Sequence, residues 1–459
     1  MVKSLKKHFA NLPQYAELRA QENQILNMSF MNGNMVANAK SSKNGISARV
    51  YKHGAWGFAS NSLVSDESVV EVLKAAEKNA AFIDSRLNLN KKLLPKQFGT
   101  LEKDFHSKKT PLSQGELKEF LKTIDNYVAE KYPNIIQRVV GLRGLSMEKT
   151  LITSDESEYY SFLPTTALFV QFTMMKDNAP VNIGDVFGGL GEIQEHLINP
   201  SDLYEDIDLL YKQLIEKSEG VRPKAGLKEV ILDSDIAGIL AHEAIGHTTE
   251  ADLVIGGSIA GEYMDKQVAS PLVNLVDFAH SYKGQLLTIP IFMDDEGTVC
   301  EDVVIIENGI LRNYMHNKES ARMFNTTPKG NARAWEFSDE PLIRMRNTAI
   351  LPGESKLEAM IASIEDGYYL TKTSNGQADT TSEFTFAVTM GYEIKNGKLG
   401  KAIKDSTISG IAFDVLKSVT AISDEMKWSG AGGMCGKKQP IPVGMGGPSI
   451  KCKVNIGGE

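Results

Sequence analysis

The period of the apolar positions changes several times along the chain, and the changes divide it. Between about Asn23 and the Val50-Tyr51 pair, strand-like runs such as Ile46 to Tyr51 lie beside Asn32-Gly33 and Asn44-Gly45. Both dipeptides suit tight hairpin turns, so this stretch reads as a small meander. After Ser65 the spacing lengthens. Val69, Val70, Leu73, Ala76, Ala80 and Ile83 recur at helical intervals and predict a helix to about Asp84. A polar stretch containing Pro95 follows, and then Ser113-Gln114-Gly115-Glu116, a capping-box pattern that opens an amphipathic helix through about Lys131. Strand-like runs at Arg138 to Leu142 and Thr166 to Thr173 precede another helical segment, Leu203 to Lys217.

Pro223 and Gly226 mark the next boundary. Glu229 to Leu232 reads as a strand that feeds a helix directly, and Asn308-Gly309 and Asn396-Gly397 supply two further hairpin signals among β-prone residues. The expected organisation is three units, 1–95, 110–220 and 225–459. The fold class is α+β: an N-terminal α/β region, then a C-terminal domain rich in antiparallel sheet, barrel-like, with one helix that carries candidate metal ligands. No internal repeat or low-complexity segment is visible.

A chain of 459 residues with 42% hydrophobic content can bury a sizeable core, consistent with several domains. Its net charge of -8 repels phosphate backbones and anionic membranes. The most basic short stretch, Glu102 to Lys109, is interrupted by Glu102 and Asp104, so neither nucleic acid nor a membrane is an expected partner. Met1 to Gln21 lacks an apolar run after its early lysines, and no later stretch offers about 18 consecutive apolar residues. The chain is expected to be soluble and cytoplasmic. Its three cysteines, Cys300, Cys435 and Cys452, are too few and too scattered for a disulfide framework.

The segment with the most chemistry is His242-Glu243-Ala244-Ile245-Gly246-His247. Two neutral imidazoles and an adjacent carboxylate are what a hydrolytic zinc site needs, with Glu243 as general base. The spacing is unusual. Residues five apart lie about 140° apart around a regular α-helix, so the two rings meet only if the helix widens into a π-type turn or ends between them. Gly246 stands where such a distortion costs least. A catalytic zinc also wants a third protein ligand and an open position. Cys435, within Gly430-Ala431-Gly432-Gly433-Met434-Cys435-Gly436, ranks first, with Glu250 and Asp252 as carboxylate rivals. Cys300 and Cys452 are expected to pack as ordinary core residues.

Taken in order, Gly54-Ala55-Trp56-Gly57-Phe58-Ala59-Ser60, His242 to His247, Val268-Ala269-Ser270-Pro271-Leu272, Asp294-Asp295-Glu296-Gly297-Thr298 and Met434-Cys435-Gly436-Lys437 resemble the TldD/PmbA metallopeptidases, also called modulators of DNA gyrase. The resemblance runs through most of the chain. It implies that His242, His247 and Cys435 are zinc ligands and Glu243 the catalytic glutamate, as in the TldD-like branch; the PmbA-like branch lacks the metal motif. Thr248 and Ala251 depart from the small glycines expected after the motif. The resemblance also implies small or unfolded peptide substrates and a dimer, either of two copies or with a PmbA-like chain. The competing readings are a non-catalytic regulatory binding protein of the gyrase-modulator type with structural zinc, and a metal-dependent amidase acting on a small molecule.

Four further features read as structural. Gly188-Gly189-Leu190-Gly191 is expected to be a turn and not a phosphate loop, since no Lys-Ser/Thr follows it. Asp294-Asp295-Glu296 reads as a solvated acidic turn, and Arg333, Arg344 and Arg346 as surface-paired cations. His280 and His316 are expected to be structural.

Overall fold

The computed structural model describes residues 15–87 and 93–457. Strands β1 (Tyr15–Met31) and β2 (Asn34–Lys52) meet at the expected Asn32-Gly33 turn, where both residues are left-handed, with φ of 50° and 80°. Asn44-Gly45 does not turn. It lies inside β2, Asn44 opposite Glu22 and Gly45 opposite Gln21. A Cβ on Gly45 would come within 2.4 Å of the Phe337 ring, so this glycine admits an aromatic side chain. The chain reverses instead at His53-Gly54, with φ of 50° and 101°, into β3 (Ala55–Asn61).

Helix α1 (Asp66–Leu87) then covers this end of the sheet, burying Val69, Val72, Leu73, Ala76 and Ala80 against the meander. After β4 (Thr100–Asp104), helix α2 (Gln114–Lys131) begins at the predicted capping box: Ser113 Oγ accepts from the Glu116 amide, and Glu116 accepts from the Ser113 amide. Strands β5 (Gln137–Thr153), β6 (Glu158–Lys176) and β7 (Ala179–Leu190) complete a sheet of order β3-β2-β1-β5-β6-β4, with β7 also on β6. The pairing of β1 with β5 carries this sheet across the polar stretch around Pro95. Helix α3 (Tyr204–Ser218) joins α2 on one face through Ile207, Leu210 and Leu214. Gly188 and Gly189 belong to β7 and not to a turn.

Strand β8 (Gly226–Leu232) enters a second, closed sheet with Asp366–Ala378, Glu383–Lys395, Ser406–Ile411 and Ile450–Gly457. Closure comes from Asp366–Ala378, which pairs parallel with β8 and antiparallel with Glu383–Lys395. The Asn396-Gly397 hairpin turns as expected, and so does Asn308-Gly309 in a third sheet built around Leu275–Phe278 and Val303–Glu307. The barrel is therefore mainly, not wholly, antiparallel.

The Asp294-Asp295-Glu296 segment is not solvated. Its residues are 2%, 7% and 0% exposed. Asp295 takes an ion pair from Lys149, and Glu296 one from Arg49, which also pairs with Glu17 at 3.1 Å. Buried charges persist only when paired in this way, and here the pairing ties β1, β2 and β5 to the C-terminal region. No helix among the described residues is long and apolar enough to cross a membrane. The expectations placed on residues 1–14 lie outside the described residues.

Helix α4 (Ser234–Ile239) leaves β8 after Asp233 and continues without a break as a π-helical segment, Leu240–Gly246. The amide of His247 donates to the carbonyl of His242, the five-residue bond of a π-turn. Gly246 has ordinary helical angles, φ -56° and ψ -54°, so it does not relieve the distortion by unusual backbone freedom. Its role is close approach: a Cβ there would lie 1.9 Å from Met345 Sδ. Gly246→Ala should therefore overpack this contact and destabilise the chain by about 1–3 kcal/mol. A chemical denaturation midpoint checks it, and an unchanged midpoint would mean that Met345 swings aside without cost.

Candidate metal centre

The π-turn brings two side chains together that an α-helix would splay. The His242 and His247 rings have centroids 5.3 Å apart at 79°. Ligand atoms of His242, His247 and Cys435 all lie within 4.8 Å of one another. Cys435 Sγ is 3.1 Å from His247 Nε2. His242 is only 1% exposed, and neither of its ring nitrogens has a hydrogen-bond partner among the described residues. A buried imidazole with both nitrogens unmet is costly unless something else completes it. Two imidazoles and a thiol fit a zinc ion in this respect.

Cys435 reaches the histidines from a short strand, Gly433–Cys435, that pairs with Ile441–Gly447. The arginines expected at the surface fix this segment from inside. Arg344 is fully buried and donates to the carbonyls of Cys435 and Gln439, both at 2.7 Å, and of Lys437 at 3.3 Å. Arg333 donates to the carbonyls of Met345 and Pro442. Arg346 pairs with buried Asp277 at 2.8 Å. A planar guanidinium can satisfy several carbonyls of an irregular loop at once, which explains arginine at these positions. Their positions gave no signal of burial, because charge is ordinarily a surface mark.

The carboxylate rivals sit one layer out. Glu250 is fully buried, its Oε2 3.0 Å from His247 Nδ1 and 2.9 Å from Lys437 Nζ. Asp252 also accepts from Lys437, which donates a third time to the Ile343 carbonyl. Glu250 thus orients the ring of His247 and leaves Nε2 facing Cys435, the arrangement in which a carboxylate sets a histidine tautomer beside a metal. Lys437, two residues beyond Cys435, locks the cysteine segment to the histidine segment. Neither Glu250 nor Lys437 would be singled out from spacing alone in this role; the Met434-Cys435-Gly436-Lys437 run is the nearest signal.

The electrostatics describe a thiolate–imidazolium pair, whose proton a metal ion would displace on binding. Burial opposes ionisation of the Cys435 thiol, yet the two imidazoles beside it hold it down at about 4. Burial likewise opposes charge on His247, but Cys435 and Glu250 push it up to about 10. Burial also works against the Glu250 carboxylate, and Lys437 and His247 overcome it to keep the group ionised. A thiolate is the form that binds a metal. The other two cysteines contrast sharply, since burial drives the Cys300 thiol up to about 12 and raises that of Cys452 further. His280 stacks on Phe292, and His316 Nδ1 lies 3.0 Å from Ser320 Oγ, both away from the centre.

Glu243 adjoins the pair. Its side chain is about one-quarter exposed, with Oε2 3.8 Å from His247 Nε2. It is a carboxylate beside the candidate ligand atoms that remains open to solvent, and its ion-pair contact is that 3.8 Å approach to His247.

A family model for the PmbA/TldA metallopeptidase C-terminal domain matches residues 225–458, and one for domain 1 of the same family matches residues 16–80. The chain is 32% identical to a metalloprotease TldD homolog of Buchnera aphidicola, over 90% of this chain and 86% of that protein. It is 28% identical to a zinc metalloprotease TldD homolog of Saccharolobus solfataricus, with 90% of each chain covered. Among solved structures, a Thermotoga maritima protein described as a modulator of a DNA gyrase superposes with a TM-score of 0.78 at 19% identity, covering 99% of this chain and 100% of that one. TldE from Thermococcus kodakarensis gives 0.73 at 17% identity, covering 100% and 99%. The fold is thus shared at identities where side chains have largely changed, while the matched models and relatives carry the affiliation itself: this chain belongs to the PmbA/TldA metallopeptidase family.

Proposed function

We propose that the chain is a zinc-dependent peptidase acting on small or unfolded peptides, with His242, His247 and Cys435 holding the metal and Glu243 as general base. The observation that carries this reading is the convergence of two imidazoles and a thiol through a π-turn, with a solvent-open glutamate at their side. A structural zinc site is closed by four protein ligands. Here three ligands and an adjacent solvent-open carboxylate leave room for a reacting group.

A zinc ion at this position supplies a water of lowered pKa and polarisation of the scissile carbonyl. The chain's own residues do the rest. Glu243 accepts the proton of the attacking water and returns it to the departing amine. Glu250 fixes His247 in the tautomer that presents Nε2 inward, and Lys437 keeps Glu250 ionised. Arg344 holds the carbonyl side of Cys435, so that its thiolate stays aimed at the two rings. A reducing, cytoplasmic setting suits a ligand thiol that must remain free. Assembly as a homodimer, or with a PmbA-like chain, would enclose the site and restrict it to small or unfolded substrates.

Glu243→Gln should lower turnover of a fluorogenic peptide by about 100-fold or more, with zinc stoichiometry retained on elemental analysis. Undiminished hydrolysis would remove Glu243 from the mechanism. Cys435→Ala should lose zinc on dialysis; a full complement of metal would take the thiol out of the ligand set. Glu250→Gln should keep the ligands but weaken zinc affinity by about 10–100-fold in a chelator competition, because His247 loses its orienting partner. Equal affinity for wild type and variant would reduce Glu250 to a packing role.

A further inference from the structure

From Ser234 to Glu250 every residue is buried except Asp235, Ile239, Glu243 and His247. These four recur at intervals of four and form one accessible stripe along the helix. Its far end opens on a cleft of about 460 Å³, lined by Asp235 and Ile239 on the helix, by Asp185 on β7, by Lys372, and by Trp428 and Gly430. A second wall runs the same way, since the segment that lines the cleft with Trp428, Ser429 and Gly430 continues to Cys435. Two independent elements therefore lead from this cleft to the metal centre.

The charges in the cleft do not cancel. Lys372 forms an ion pair with Asp185. Lys427, the other cation close to Asp235, pairs with Glu425 at 3.4 Å. Asp235 has no hydrogen bond or ion pair among the described residues, while the neighbouring Asp233 accepts from Ser449. Its place in the first turn of the helix favours a negative charge, and its carboxylate is exposed at the cleft. Desolvation within the cleft raises the Asp235 pKa, and the like charges of Asp233 and Asp185 add to it against Lys372 and Lys427. Trp428 adds an aromatic ring in the same cleft, steadied by edge contacts with Phe278 and Tyr282. An unpaired carboxylate beside an indole is a receptor for an organic cation.

We propose that this cleft is a specificity subsite for a basic side chain of the peptide, with Asp235 as its charge partner. The inference rests on the peptidase reading. Eight residues separate Asp235 from Glu243, about 12 Å at the α-helical rise and somewhat less through the π-helical part. Extended peptide covers that distance in roughly three to four residues. The basic residue accordingly lies three or four positions from the scissile bond, on one side of it.

The test uses the zinc-loaded full chain and quenched-fluorescent peptides that differ only in carrying Lys, Gln or Glu at the third or fourth residue on either side of the cleaved bond. The wild type should show a kcat/KM about tenfold higher for Lys than for Gln at one such position. Asp235→Asn should bring that ratio to near one, and Asp235→Lys should shift the preference to Glu. A ratio unaltered in Asp235→Asn, or a wild type indifferent to charge, would overturn the subsite while leaving the peptidase reading intact. Fluorescence anisotropy with Glu243→Gln separates the two in the other direction. Tighter binding of Lys peptides that is lost in Glu243→Gln/Asp235→Asn supports the subsite even if no peptide is hydrolysed, and equal binding of Lys and Glu peptides rejects it.

Discussion

One widened hydrogen bond, from the amide of His247 to the carbonyl of His242, governs the geometry of the centre. In a regular helix those residues would face about 140° apart and could not share an ion. The five-residue bond brings their rings within 5.3 Å of one another, and Glu243 stays on the accessible stripe with Ile239 and Asp235. A π-turn is a less favourable helix, so the surrounding core must hold it. Leu240, Ala241, Ala244 and Ile245 are all buried in the main C-terminal core, and Met345 closes over Gly246 at a distance that leaves no room for a methyl group. The distortion is maintained by packing on three sides, with the fourth side left to the chemistry.

The third donor arrives from almost two hundred residues further along the chain, and its position depends on buried charge. Arg344 gathers the carbonyls of Cys435, Lys437 and Gln439, and Lys437 reaches back to Glu250 beside His247. Breaking a buried pair of this kind by removing one partner costs about 3–5 kcal/mol, much of it from the charge left behind. That penalty couples the two halves of the centre: Lys437 of the cysteine segment and the ring of His247 share Glu250 as a partner, while Arg344 and Asp252 anchor the cysteine segment besides.

Much of this architecture is legible in the chain. The capping box at Ser113, the amphipathic repeat after Ser65 and the strand that feeds the histidine helix each reflect a local rule, and each element forms where that rule places it. The five-residue histidine spacing demanded a distorted helix, and a π-turn is what the segment adopts. Other features were hidden because the same residue type serves opposite ends. Asn44-Gly45 has turn chemistry but sits mid-strand, its glycine needed under Phe337. Asp294-Asp295-Glu296 and the three arginines look like surface charge, and only long-range pairing makes their burial tolerable. Partners such as Glu250 and Lys437 stand far apart in sequence, so no local pattern could join them.

Those buried charges also explain how the N-terminal sheet bears on the centre without touching the candidate ligands. Arg19 of β1 and Lys149 of β5 both pair with Asp295, whose carboxylate accepts from the Ala334 amide at 2.7 Å. Asp294 accepts from the Ala332 amide at 3.0 Å, so the two acids grip the short strand Ala332–Arg333 from both ends. Arg333, within that strand, donates to the Met345 carbonyl. Met345 in turn packs on Gly246, next to His247 in the chain. Most of these links are buried hydrogen bonds or ion pairs, and the last is close packing, so a shift at β1 is passed on through protein contacts. The charged residues that would be misplaced on a solvent face are, in this fold, the means by which the two sheets hold one helix in its strained form.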